Sequence, residues 1–96
     1  MQEQGFVILE KNYRCRSGEI DLIARDGRYL VFIEVKYRSS GHAGSALEAI
    51  NTKKAAQVRR IASIYLYQNR YSENTPVRFD AAGVDGDQIT YIKNAF

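Results

Sequence analysis

A single cysteine, Cys15, in 96 residues leaves no internal disulfide and no cysteine zinc site to consider. Missing too is any apolar run near the ~20 residues that a membrane-spanning helix requires, so no membrane is expected among the partners. Residues 1–14 lack the basic, apolar and small-residue order of a secretory signal, and the cytoplasm is the expected compartment. Neither a repeat nor a low-complexity segment divides the chain. What is present is an ordinary globular balance, 45% hydrophobic and 26% charged, enough for one domain over residues 1–96. The net charge of +3 favours a polyanionic partner, although mild basicity also occurs in proteins that never meet nucleic acid.

Period-two alternation and turn dipeptides mark the strands. Residues 6–14 (FVILEKNYR) read as a first strand, 19–25 (EIDLIAR) as a second and 29–37 (YLVFIEVKY) as a third, with Asp26-Gly27 as the hairpin turn between the last two. The third is rich in β-branched and aromatic residues and apolar on both faces at its start, as a central strand covered on both sides would be. After a glycine-containing loop and a helical turn at ALEAI, Asn51 caps a helix over TKKAAQVRRIASIYLYQNR. Val58, Ile61, Ala62, Tyr65 and Leu66 recur on its sheet-facing side. VRFDAAGV and QITYIKNA follow as strands four and five, around a turn at Asp85-Gly86. The order β-β-β-α-β-β implies an α/β fold with a mixed sheet and a helix packed on it.

Three charges stand inside the second and third strands: Asp21, Glu34 and Lys36. A carboxylate out of water without a partner is heavily penalised, so charges there belong to a solvated face or to chemistry. Glu34 and Lys36 share a face because side chains alternate. A turn at Asp26-Gly27 sets Asp21 opposite Phe32, and a turn at Gly27-Arg28 sets it opposite Glu34. Either register puts Asp21 on the face of Glu34 and Lys36, with Glu19 beside it, and only a bulge would separate them. Neighbouring carboxylates repel unless a cation lies between them, and hard oxygen donors suit Mg²⁺ or Mn²⁺. Lys36 is then placed to orient an attacking water or to neutralise charge at phosphorus.

Asp21, then twelve intervening residues and Glu34-Val35-Lys36, resembles the PD-(D/E)XK nuclease core. The segments GFVILEKNYRCRSGEIDLIARDG, LVFIEVKYRSS, ALEAI, RFDAAGV and IKNAF resemble, more closely, the small bacterial YraN family. That family is similar to archaeal Holliday junction resolvases. The resemblance implies a restriction-endonuclease-like fold and a metal-dependent endonuclease acting on DNA, with branched or damaged DNA among its substrates. It implies Asp21, Glu34 and the Val35 carbonyl as metal ligands, Lys36 as catalytic lysine and Glu19 as an auxiliary acid. It also implies a helix ahead of the first strand, which this chain, starting at MQEQG, is expected to lack.

Arg14, Arg16, Lys53 and Arg60 are candidates for contact with a nucleic-acid backbone, against the alternative of a merely solvated face. Asp80, interrupting strand four, is a candidate for the metal site or for pairing with an arginine, and loop His42 a candidate for reaching phosphate. The non-catalytic alternative is a nucleic-acid-binding module that keeps the fold without turnover, and a third reading is a protein-interaction domain. Because one long helix covers one sheet face, the other face predicts self-association as a homodimer, with exchange of an element through the loop at residues 39–45.

Overall fold

The computed structural model describes residues 6–38 and 52–96. Strands β1 (Phe6–Cys15), β2 (Gly18–Asp26) and β3 (Tyr29–Arg38) precede helix α1 (Thr52–Gln68), and β4 (Val77–Asp85) and β5 (Gln88–Ile92) follow it. They form one sheet in the order β1-β2-β3-β4-β5. β3 and β4 pair in parallel and every other neighbouring pair is antiparallel, so the mixed α/β arrangement expected from the pattern is the observed one. Asn51, the ALEAI turn, His42 and the loop at residues 39–45 lie outside the described residues.

Both two-residue hairpins turn one position later than the dipeptides suggest. Asp26 pairs with Tyr29 across Gly27-Arg28, and Asp85 pairs with Gln88 across Gly86-Asp87. Each glycine has φ of +62° and the residue after it does not have positive φ, which is the type II′ pattern with glycine first. Asp26 remains in the strand because its carboxylate is held by Arg78, Nη1 to Oδ2 2.9 Å.

Helix α1 buries Val58, Ile61, Ala62 and Tyr65 against Ile20, Ile23, Leu30 and Phe32, with Leu66 half-buried beside them. Side chains of this size each contribute about 1.5–3 kcal/mol on full burial. The helix ends at Arg70, left-handed at φ +59°, with Arg70 N–H donating to Tyr67 O and Tyr71 N–H to Leu66 O, the paired bonds of a Schellman cap. On the opposite sheet face Ala24, Val31, Ile33 and Ala82 form a second cluster, bordered by Phe6, Ile8, Leu22, Val35 and Tyr91. Val31 and Ile33 are 0% exposed within the single chain. The centre of that face is therefore not the open apolar surface from which self-association was expected.

Candidate active site

The β2–β3 ladder runs inward from Asp26–Tyr29 and its register ends at Leu22–Ile33. Beyond it a side chain takes over from the ladder: Val35 N–H donates to Asp21 Oδ2 at 2.7 Å. In an extended strand the N–H and C=O of one residue point the same way, so the Val35 carbonyl is turned toward the opening that holds the Asp21 carboxylate. On its other side β3 stays paired to β4, Glu34 with Ala81, Val35 with Ala82 and Lys36 with Gly83. A rigid strand thus carries Glu34, Val35 and Lys36 past a fork whose other arm presents Asp21.

Glu34 points to the helix face and is 3% exposed. Lys54, in the first turn of α1, places Nζ 3.0 Å from Glu34 Oε2. Burial pushes the Glu34 carboxyl above the usual carboxylate range; the Lys54 hydrogen bond pulls it back, the Asp21 charge raises it and Lys36 lowers it. These influences bring Asp21, Glu34, Lys36 and Lys54 into one electrostatic neighbourhood. The donor set fits a hard divalent cation: two carboxylates and a strand carbonyl at one fork, with the buried carboxylate disfavoured as an anion until more positive charge arrives. Among the described residues no group of three or more His, Cys, Asp or Glu side chains converges, so such a site would combine two side chains with backbone oxygen and water.

Glu19 does not join the pair. It is turned to Arg14 across β1–β2, Nε to Oε2 3.3 Å, with both side chains substantially exposed. Arg16 is exposed in the β1–β2 turn. Gln57 Nε2 donates to Ser17 O at 2.9 Å, fastening that turn to α1. Lys53 and Arg60, both exposed, line with Lys54, Ala56 and Gln57 a depression of about 380 Å³. Asp80 takes the arginine rather than the metal alternative, bonding Arg78 Nε at 3.0 Å.

Lys54 is the site residue that the sequence reading overlooked. Its signal was present, because it lies four residues before Val58 and seven before Ile61, on the buried side of α1. A lysine on the apolar stripe needs an anion, and the sheet strand beneath supplies Glu34.

A family model described as "Uncharacterised protein family UPF0102" matches residues 1–84. Among curated proteins, a UPF0102 protein of Lachnoclostridium phytofermentans is 49% identical over 96 residues, covering all of this chain and 81% of the relative. One of Legionella pneumophila is 43% identical over 98 residues, covering all of this chain and 83% of the relative. One of Hahella chejuensis is 56% identical over 77 residues, covering 80% of this chain and 61% of the relative.

Proposed function

The chain belongs to the uncharacterised protein family UPF0102, the YraN-like group, and from that premise we propose that it hydrolyses phosphodiesters in DNA as a nuclease dependent on Mg²⁺ or Mn²⁺. The observation that carries this reading is the fork itself, where Asp21 replaces a ladder partner of Val35 beside a buried Glu34. A strand that only needed to close its sheet would continue the backbone ladder there.

In this reading Asp21, Glu34 and the Val35 carbonyl hold the cation; among the described residues Asp21 is engaged through Oδ2 and Glu34 through Oε2. A cation held there would supply polarisation of the phosphodiester and lower the pKa of a water. Lys36, on the Glu34 face, is placed to orient the attacking water and to offset the charge that develops on the phosphoryl oxygens. Lys54 keeps Glu34 compensated when no cation is bound. Lys53 and Arg60 follow the flanking phosphates, with Arg14 and Arg16 extending the basic surface past the β1–β2 turn.

Incubation of plasmid and four-way-junction DNA with Mg²⁺ or Mn²⁺ tests the reading. Cleavage is expected, and its loss in Glu34→Ala and Lys36→Ala. An ion that binds only the folded state stabilises it by about 2.7 kcal/mol at a hundred times its dissociation constant. Mn²⁺ should therefore raise the melting temperature of the native chain and not that of Asp21→Asn. Absence of both cleavage and the thermal shift overturns the reading. The depression lined by Lys53, Lys54 and Arg60 favours a second one, a nucleic-acid-binding module without turnover, for which salt-sensitive binding persists while cleavage never appears.

A further inference from the structure

A cavity of about 250 Å³ adjoins the fork and is lined by Lys11, Asn12, Asp21, Leu22, Val35 and Tyr37. Two of these residues, Asp21 and Val35, belong to the candidate cation site. Lys11 is paired with Leu22 and Leu22 with Ile33, so these three share a sheet face, and Val35 and Tyr37 continue it by alternation. The cavity therefore opens on the side away from α1, whereas Glu34 meets Lys54 on the helix side. Asp21, in the gap between the strands, is common to both.

Three features set this cavity apart from a packing gap. Tyr37 is 75% exposed, although a large aromatic surface ordinarily gains from being covered. Asn12 is left-handed at φ +52°, and the β1–β2 register omits the pair it would make with Asp21. Asparagine tolerates this conformation, and here it interrupts the strand pairing beside Asp21. Among the described residues no hydrogen bond or ion pair engages the side chains of Lys11, Asn12 or Tyr37. An exposed ring, an ammonium group and an amide around one opening match the three parts of a nucleotide: a face to stack, a phosphate to neutralise and a base edge to bond.

We propose that this cavity is a subsite for one unpaired nucleotide next to the scissile phosphate, with Tyr37 stacking on the base, Lys11 meeting a phosphate and Asn12 reaching the base edge. The proposal rests on the nuclease reading for the word scissile, but the binding it describes requires no cleavage. The volume lies below the roughly 300–1,000 Å³ of a whole small-molecule site, a size that suits a single nucleotide fragment. A paired base enters only by leaving its stack, a cost that an already unpaired base does not bear. The preferred substrates are consequently single strands, flaps and branch points rather than continuous duplex.

Fluorescence anisotropy with labelled oligonucleotides in EDTA, at one fixed salt concentration, tests this without turnover. The probes are a DNA strand, an RNA strand of the same sequence, the blunt DNA duplex and a duplex carrying a single-stranded flap. Strand or flap is expected to bind more tightly than duplex, and the two strands identify which sugar is preferred. Tyr37→Ala should weaken strand binding by about five- to a hundredfold and Tyr37→Phe should retain it, since stacking needs the ring and not the hydroxyl. Lys11→Gln should lower the salt slope by about one phosphate contact. Tyr67→Ala, which removes a ring 86% exposed on α1, is the control and should change nothing. Duplex binding as tight as strand, or a Tyr37→Ala effect no larger than that of Tyr67→Ala, overturns the proposal. Tyr37-dependent strand binding without metal-dependent cleavage would keep the subsite and remove the nuclease; cleavage with Tyr37-independent binding would do the reverse.

Discussion

Two groups of charges are buried on this sheet, and they are finished to different degrees. Around Asp80, which is 0% exposed, Arg78 donates from Nε to Oδ1 and from Nη2 to Oδ2, each at 3.0 Å. Tyr91 OH and Asn94 N–H donate to the same carboxylate. Arg78 also reaches Asp26, and its guanidinium lies over the rings of Phe6 and Tyr29. Burial pulls the Arg78 guanidinium down, but its bonds to Asp80 and Asp26 outweigh that and hold it above its ordinary value. Around Glu34, among the described residues, the Lys54 ammonium group meets Oε2, and Asp21 accepts the Val35 backbone amide. The first group spends every donor and acceptor on the fold. Among the described residues the second is bound more sparsely, as a ligand site requires and a structural lock does not.

The largest expected effect tests the lock. Removing one partner of a buried ion pair leaves the other charge uncompensated, at about 3–5 kcal/mol. Asp80→Asn should therefore lower stability by that order in urea unfolding, because Arg78 keeps Asp26 alone. A loss below about 1 kcal/mol would erase the distinction between the two groups.

Burial without an opposite charge gives the next effect. The Tyr65 hydroxyl is pushed up to about 12, first by burial and then by Tyr71. The unfolded chain releases this proton near pH 10 while the folded chain holds it. Stability is thus intact below pH 10 and is lost as pH rises toward 12, by up to about 1.4 kcal/mol per pH unit. In Tyr65→Phe the alkaline limb of a stability–pH curve should flatten by that amount; an unchanged limb would mean that tyrosine burial is not what weakens the fold in alkali.

The smallest effect has the opposite sign. With its carboxyl held above the usual range chiefly by burial, Glu34 favours the folded state when protonated, and that contribution is lost as pH rises through its folded value. Glu34→Gln removes the desolvated charge, while Lys54, its side chain 28% exposed, can turn to water. Stability at pH 7 should rise by about 0.5–2 kcal/mol, the exchange of stability for activity seen at functional sites. A loss as large as that of Asp80→Asn would make Glu34 part of the scaffold and sharpen the case against a cation there.

Parity and periodicity are local, and residues 6–38 determined much through them. A hairpin closed by any two-residue turn sets Asp21 toward the Glu34 face by parity, but the regular ladder stops at Leu22–Ile33, and Asp21 lies in the gap beyond it, lining the cavity with Leu22 and Val35. The helical stripe from Val58 to Tyr65 was legible for the same reason. What the chain order did not reveal depended on where distant segments meet. Lys54 became the counter-ion of Glu34 only when α1 crossed over β3, twenty residues on in sequence, and Asp26 left its turn only because Arg78 of β4 came within reach. The opening of the ladder at Asp21, and with it the cavity between Lys11 and Tyr37, likewise required three strands to be set side by side. Backbone pairing preferences act over a few residues, whereas the partner that satisfies a buried charge is chosen by packing.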